Sequence, residues 1–211
     1  MMNKIYSAVW GTGGGGQGYP FGDATPVSRA DDLKADGYLI IWGGEDIHPS
    51  IYDQEPNGSY VRGDVPSERD RKEMNLISAA MDLGMLTVGI CRGAQLCCAM
   101  AGGKLAQDVS GHGNSHPIVT NNGRTFVTSS VHHQMMYPFA VEHEMVAWSH
   151  QRRSLRYQGL TALEIEVMKG IEPEIVYFPK QRFLAIQGHP EFMPENCSFN
   201  DLCRELIAHY G

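Results

Sequence analysis

The stretch 86–103 constrains the fold more than any other part of the sequence. It reads LTVGICRGAQLCCAMAGG: a β-branched and apolar run, a tight turn, and a helix of small residues that ends at a glycine pair. We predict a strand, a sharp turn and a helix, with Cys91 at the centre of the turn. Gly89 and Gly93 flank it because the strand and helix backbones must approach closely and the central residue must adopt a strained φ/ψ.

Such a turn would lift the sulfur of Cys91 above the carboxyl end of the strand. There it would lie at a helix N-terminus, where the partial positive charge favours thiolate over thiol. Free cysteines are also common in protein cores, and we interpret Cys97 and Cys98 on the same helix as core residues. Taken alone, Cys91 therefore fits either a nucleophile or a packing role.

A second motif, FLAIQGHPEF at 183–192, lies near the other end of the chain. An apolar strand runs into His189, Pro190 restricts the backbone after it, and Glu191 follows. A carboxylate at this spacing can orient the imidazole and stabilise its protonated form while the ring faces a thiol. A surface histidine at a strand end is the alternative, but the two motifs together favour a catalytic group of Cys91, His189 and Glu191.

The chain resembles the class I glutamine amidotransferase-like hydrolases, and within them the peptidase C26 branch that hydrolyses γ-glutamyl-γ-aminobutyrate. The resemblance rests on stretches in the family's order: WGGEDIHPSIY at 42–52, SERDRKEMNLISAAMDLG at 67–84, GICRGAQ at 89–95 with AGGKLAQD at 101–108, SSVHHQ at 129–134, and QGHPEF at 187–192. It implies one domain over 1–211, an open, mainly parallel sheet flanked by helices (flavodoxin-like), with a nucleophile elbow.

The resemblance also assigns site residues. The oxyanion hole falls on the backbone N–H groups of Gly44 and Arg92, donors that are fixed in place before the reaction. The substrate-binding positions are Gln95, Ser130, Val131 and His132. The chain departs from the family at Ser129, where Asn is usual, and at Gly188, where an aromatic residue often stands. Both changes are expected to widen or reshape the pocket.

The remaining pattern alternates strands with helices, as expected for this fold. We predict strands at 3–9, 36–42, 124–131, 145–149, 164–168 and 174–178, an amphipathic helix at 67–83 and a final helix at 198–210. On the first helix, the charged residues Glu68, Arg69, Asp70 and Glu73 are interpreted as a solvated face, with Arg69 also a candidate substrate contact.

Two polar loops invite a ligand interpretation. The run GTGGGGQG at 11–18 lacks the Lys-Ser/Thr of a phosphate loop, so we predict a mobile surface loop, near the active-site edge and a candidate lid. The histidines at 112 and 116 have no cysteine or carboxylate at supporting spacing, so a flexible polar loop is favoured over a metal site. Asp46 and His48 are too few for a metal site. We expect neither metal nor organic cofactor.

Charge and cysteine usage limit the partners. A net charge of −7 and a pI near 5.7 argue against general binding to nucleic acid or to an anionic membrane. No apolar run reaches the length of a membrane span, and the first residues lack the pattern of a secretory signal. Five cysteines without paired spacing fit a reducing compartment, so a cytoplasmic location is expected.

Three functions follow from the resemblance. The first is hydrolysis of a γ-glutamyl amide through a γ-glutamyl thioester on Cys91, releasing glutamate and an amine. The second is a glutaminase subunit that delivers ammonia to a separate synthetase. The third is a non-catalytic binding protein on the same fold. The expected ligand is a γ-glutamyl compound or glutamine, and homodimer formation is left open.

Overall fold

The fold is described here from a computed structural model that covers residues 4–12 and 18–211. The middle of the glycine-rich loop, residues 13–17, lies outside the described residues, and with it the predicted lid. The described strands are β1 (Lys4–Ala8), β2 (Ala24–Val27), β3 (Gly37–Ile41), β4 (Leu86–Ile90), β5 (Lys104–Ala106), β6 (Asp108–Val109), β7 (His116–Thr120), β8 (Thr125–Thr128), β9 (Met135–Tyr137), β10 (Glu144–Ser149), β11 (Tyr157–Gln158), β12 (Pro173–Phe178) and β13 (Phe183–Ile186).

The α-helices of the same residues are α1 (Glu68–Asp82), α2 (Arg92–Met100), α3 (Ala162–Gly170) and α4 (Ser198–Tyr210). Helix α1 begins at a capping box, in which the Ser67 hydroxyl and the Asp70 backbone and carboxylate bond reciprocally. The helices predicted at 67–83 and 198–210 are confirmed. Within the described residues, no helix has both the length and the apolar character needed to cross a membrane.

One sheet organises the described part of the chain, with nine strands in the order β2-β1-β3-β4-β13-β12-β10-β7-β8. The five strands from β2 to β13 pair in parallel, and the remaining four continue as antiparallel neighbours. This confirms the predicted class: an open, mainly parallel sheet flanked by helices. Strands β4 and β13 are adjacent and parallel, with Ile90 opposite Ile186. The cysteine and histidine motifs therefore leave the sheet at the same edge.

The sheet is buried on both faces, which explains why its central strands are apolar throughout. On β3, Leu39 and Ile41 pack in one core cluster with residues of α1 and α2. Tyr38 and Ile40 point to the opposite face and pack in a second cluster with residues of α4. Helices on both sides thus hold β4 in the middle of the core, and its carboxyl end leads directly into the turn that contains Cys91.

The predicted strand at 164–168 is wrong, because this segment lies in α3. The β-branched residues suggested a strand, but Thr161 and Glu164 form a capping box that starts a helix. Ile165 and Met168, three residues apart, then pack in the same small core cluster. Local hydrogen bonding at the helix start outweighed the β propensity of the side chains.

Candidate active site

Cys91 lies at the turn between β4 and α2 in a backbone conformation that L-residues rarely adopt, with φ of 50° and ψ of −105°. A Cβ atom on Gly89 would lie 2.3 Å from the carbonyl oxygen of Gly93, and one on Gly93 would lie 2.1 Å from that of Ile41. Neither position has room for a side chain, so the predicted need for both glycines is confirmed. The turn holds Cys91 at the N-terminus of α2 with 7% of its surface exposed.

His189 follows β13 and is held by Glu191. Its Nδ1 donates to Glu191 Oε1 at 2.7 Å, and both side chains are almost fully buried. The ring of Phe192 stacks on the imidazole with a centroid separation of 4.5 Å. Among the described residues, His189 Nε2 has no hydrogen-bond partner, so this nitrogen is available to a reacting group.

The electrostatics of His189 favour its protonated form. Burial alone lowers the pKa of this imidazole, but its contacts with Cys91 and Glu191 outweigh burial and raise the pKa to about 10. An imidazolium next to a cysteine at a helix N-terminus is the arrangement in which a thiolate is stabilised. The same imidazolium carries a proton that can be given to a leaving group.

Gly43 is the point where the candidate residues meet. A Cβ atom there would lie 2.7 Å from His189 Cε1, 3.0 Å from Thr12 Oγ1 and 3.4 Å from Cys91 Cβ. Thr12 Oγ1 donates to Glu191 Oε1 at 2.5 Å, so this carboxylate oxygen bonds both Thr12 and His189. Sequence reasoning missed Thr12. The one sequence feature that could have indicated Thr12 is its position shortly after β1, at the sheet edge where the active site was expected.

The predicted oxyanion donors lie on either side of this point. Gly44 has φ of 151°, and a Cβ atom there would lie 2.1 Å from an Arg69 guanidinium nitrogen. Arg69 also donates to the carbonyl of Gly43 at 3.0 Å, which fixes the turn. Arg92 is the first residue of α2, where backbone N–H groups have no acceptor within the helix. The role of these two N–H groups in an oxyanion hole stays a prediction.

The predicted solvated face of α1 is wrong for most of its members. Asp70 and Glu73 are buried and both pair with the buried guanidinium of Arg92. Arg69 bonds Glu73 at 2.9 Å and is itself mostly buried. Only Glu68 stays in solvent, paired with Lys72. The partner Arg92 lies on another helix, so the sequence of α1 could not reveal that these charges are compensated inside the protein.

The turn 129–134 connects the site to its surroundings. Ser129 Oγ donates to the carbonyl of His189 at 2.5 Å, and His189 N donates to the carbonyl of Ser129 at 3.3 Å. Gln95 Nε2 donates to the carbonyl of Gln134 at 3.1 Å. The turn is thus attached both to the histidine and to α2.

The four predicted substrate-binding residues differ in their surroundings. Gln95 is buried, Ser130 Oγ donates to the carbonyl of His112 at 2.5 Å, Val131 is 59% exposed, and His132 is buried. The structure therefore brings them to one turn and the adjoining helix. Their contact with substrate stays a prediction.

At Gly188, one of the two departures from the family, the space beside the glycine is occupied. A Cβ atom there would lie 2.0 Å from Thr128 Oγ1, so Thr128 fills the space beside the glycine. Ser129, the other departure, uses its side chain to hold the His189 backbone. Ser129 therefore supports the histidine, and the effect of the two departures on the pocket stays a prediction.

The segment 111–115 is a loop whose other residues are exposed, but the interpretation is wrong for the two histidines, because His112 is buried within this loop and His116 begins β7. Both are buried, and each contacts a buried glutamate: His112 pairs with Glu172, and His116 with Glu174 on β12. These carboxylates are 60 and 58 residues away along the chain. No local spacing could have indicated them.

A cleft of about 430 Å³ begins beside the proposed oxyanion turn. Its lining residues are Glu45, Asp46, His48, Tyr60, Val61, Arg62, Val65, Ser67 and Asp70. Glu45 is the chain neighbour of Gly44, and its carboxylate bonds Arg69 at 2.7 Å. The cleft therefore lies next to the turn that contains Gly43 and Gly44.

Known proteins resemble this chain in sequence and in fold. The family described as peptidase C26 matches residues 20–191. A Lactococcus lactis protein named as glutamine amidotransferase-like, YvdE, is 30% identical over 202 residues, covering 87% of this chain and 80% of that protein.

Two solved structures have the same fold at 14% sequence identity. PurLQS from Thermotoga maritima superimposes with a TM-score of 0.67 over 100% of this chain and 99% of that one. A protein from Thermoplasma acidophilum, described as one of the subunits of a GMP synthase, superimposes with a TM-score of 0.63 over 100% of this chain and 94% of that chain. The sequence match over most of the chain, on a site with this geometry, shows that the protein belongs to the peptidase C26 family of glutamine amidotransferase-like hydrolases, which act on C–N bonds.

Proposed function

We propose that the protein hydrolyses γ-glutamyl amide bonds with Cys91 as nucleophile. One observation carries the proposal: a buried histidine, oriented by Glu191 and protonated by its surroundings, lies beside a cysteine in a strained turn at a helix N-terminus. A thiolate needs a cation to stabilise it, and an amide nitrogen needs a proton to leave. His189 can supply both.

The reaction would proceed in two stages. The Cys91 thiolate attacks the γ-carbonyl carbon, and the N–H groups of Gly44 and Arg92 stabilise the oxyanion. The C–N bond breaks as His189 donates its proton to the nitrogen, leaving a γ-glutamyl thioester. A water molecule then gives a proton to His189 and attacks the thioester carbonyl, releasing glutamate and restoring the thiolate. One proton of the water restores the His189 imidazolium, the other leaves with the new γ-carboxyl group, which ionises to solvent, and no oxidant or reductant is needed.

The cleft supports an amine larger than ammonia as the leaving group, because it adjoins the turn where the C–N bond would break. Its charged lining separates two kinds of amine. Arg62 is exposed and would pair with a carboxylate, as in γ-aminobutyrate, whereas Glu45 and Asp46 would favour a second amino group. Glu45 is already paired with Arg69, and Asp46 is in contact with His133. Within the described residues Arg62 has no ionic partner, and a free cation in the cleft favours γ-glutamyl-γ-aminobutyrate.

The test is glutamate release from L-glutamine, γ-glutamyl-γ-aminobutyrate and a γ-glutamyl diamine, measured with wild type and Cys91→Ala. We expect Cys91-dependent turnover of γ-glutamyl-γ-aminobutyrate well above that of glutamine. Arg62→Gln should raise KM for this substrate several-fold and leave KM for the diamine unchanged. Equal KM changes for both would contradict the role of Arg62, and negligible turnover of all three would overturn the stand-alone hydrolase.

A second candidate is the glutaminase subunit of a separate synthetase. Exposed apolar side chains next to the site favour it: Val131 and Phe192 are 59% and 52% exposed, and Tyr60 and Val65 on the cleft are 72% and 65% exposed. A partner surface would cover such residues. The fold likeness to a protein described as part of a GMP synthase is compatible with this role. Glutamine turnover that appears only with a partner chain would support it.

Absence of any covalent labelling of Cys91 by a glutamine-like electrophile would favour the non-catalytic binding protein.

A further inference from the structure

A cluster of three buried side chains lies outside the residues used in the proposed reaction. His112 precedes β7, His132 lies in the turn after β8, and Glu174 lies on β12. One ring nitrogen from each histidine and one carboxylate oxygen of Glu174 lie within 4.8 Å of one another. The three residues are 1%, 6% and 1% exposed. The fold thus brings three metal-binding side chains from distant parts of the sequence to one buried point.

One polar side-chain atom of each of these three residues forms a hydrogen bond with another part of the described structure. His112 Nε2 donates to Glu172 Oε2 at 3.1 Å, and His132 Nδ1 donates to the carbonyl of Gln134 at 2.8 Å. Glu174 Oε1 accepts from His116 Nε2 at 2.7 Å. Metal-binding histidines characteristically donate their second ring nitrogen to a carboxylate or a backbone carbonyl in this way.

These bonds determine which atoms remain for a ligand. A carbonyl can only accept, so His132 Nδ1 carries the proton and the lone pair is on Nε2. Glu172 also accepts from Ser154 N and Tyr157 Oη, so it acts as an acceptor toward His112 as well. In the described residues, His112 Nδ1, His132 Nε2 and Glu174 Oε2 have no hydrogen-bond partner. Buried polar atoms without partners are costly.

We propose that His112 Nδ1, His132 Nε2 and Glu174 Oε2 bind one divalent metal ion of the zinc class. Two imidazoles and a carboxylate are a common donor set for zinc. A proton on His112 is the competing arrangement, because Nδ1 lies 3.3 Å from Glu174 Oε1. That proton would satisfy one of the three unpartnered atoms and leave His132 Nε2 and Glu174 Oε2 without partners. A metal ion satisfies all three. The expectation of no metal rested on local spacing, which does not include Glu174.

The position of the cluster indicates a structural role for the metal. Its ligand His132 lies in the turn that holds the His189 backbone through Ser129 and contacts Gln95 through Gln134. Neither Cys91 nor His189 belongs to the ligand set. The metal would therefore fix this turn against β12 without taking part in bond making, and the inference does not depend on the proposed reaction.

The experiment uses the full chain and zinc alone. Metal content is measured after purification, and chelated protein is then titrated with Zn²⁺ and, for its absorption spectrum, with Co²⁺. We expect one equivalent per chain. At a Zn²⁺ concentration about 100 times Kd, Tm should rise by roughly 5–10 °C. Co²⁺ should give the absorption of a low-coordinate nitrogen and oxygen site.

Variants distinguish this site from other zinc ligands. His132→Ala and Glu174→Gln should each lose most of the bound metal. Cys91→Ala should retain one equivalent, which excludes the cysteine as the ligand, and so should His150→Ala, which removes an exposed histidine. Wild type that binds no stoichiometric zinc and shows no rise in Tm would overturn the proposal, even if the variants fail to fold. Retention of metal by both ligand variants would also overturn it.

Discussion

The protein contains two groups of histidine and glutamate side chains, and their geometry suits them to different chemistry. At the candidate active site, His189 and Glu191 are two residues apart and leave one ring nitrogen facing a cysteine. In the buried cluster, His112, His132 and Glu174 come from three parts of the chain, and each brings one potential ligand atom to within 4.8 Å of the others. Each of the three residues also has one buried polar atom without a hydrogen-bond partner among the described residues. A free nitrogen beside a nucleophile is suited to proton transfer, whereas converging lone pairs are suited to a metal ion. The direction of the unused atom, more than the residue types, distinguishes the two chemistries.

The largest effect separating the two groups is expected from Cys91→Ser. Hydroxyl is a far weaker nucleophile than thiolate, so turnover of the best γ-glutamyl substrate should fall by about 10⁴-fold. Steady-state kinetics measures this, and thermal unfolding of the same variant should change little because the side chains are similar in size. The assignment of catalysis to the Cys91 group would be contradicted if Cys91→Ser kept most of its activity while His132→Ala lost most of its activity.

Arg92→Leu should have the next largest effect, on stability. It leaves the buried carboxylates of Asp70 and Glu73 without their common partner, and breaking a buried ion pair in this way costs about 3–5 kcal/mol. Denaturant unfolding gives the free energy. Lys72→Ala, which removes an exposed pair with Glu68, is the matched control and should cost less than about 1 kcal/mol. Similar losses in both variants would contradict a buried network beneath the elbow.

Glu191→Gln sharpens the assignment of His189 as the acid. Glu191 helps to raise the pKa of His189 to about 10, so its loss should lower this pKa. The imidazolium would then lose its proton at a lower pH, and the alkaline limb of the kcat/KM profile should move to lower pH. We expect a fall in kcat of roughly 10²-fold. The control Glu164→Gln removes a carboxylate on α3 and should leave the limb in place. If the alkaline limb of the kcat/KM profile stays at the same pH in Glu191→Gln, Glu191 does not raise the pKa of a catalytic His189.

Thr12→Val should have the smallest effect. Its hydroxyl donates to the same oxygen of Glu191 that holds His189, so its loss leaves the imidazole oriented by Glu191 alone. We expect kcat to fall roughly threefold to tenfold with KM nearly unchanged. Thr12→Ser, which keeps the hydroxyl, should restore most of the activity. A change confined to KM would instead assign Thr12 to substrate binding.

Local patterns were sufficient for several elements of the fold. The capping box and glycine stop define α1, the apolar spacing defines α4, and glycines at 89 and 93 identify the elbow. The strand predicted at 164–168 is wrong, because the capping box of Thr161 and Glu164 starts a helix there. Burial of Asp70 and Glu73 and of the histidine cluster was also missed. Each of those errors concerns a side chain whose partner lies far away in the sequence.

The sequence by itself determined the strand, turn and helix around Cys91 and the pairing of His189 with Glu191, because these depend on residues within a few positions of one another. It also determined the family, because the motifs that carry the resemblance are each local and occur in the family's order. Only the tertiary structure decided that Thr12 joins Glu191, that Arg92 neutralises α1, and that His112, His132 and Glu174 converge. The physical reason is that β1, β4, β12 and β13 bring their ends together through sheet pairing. Burial then requires that every charge delivered there finds a partner.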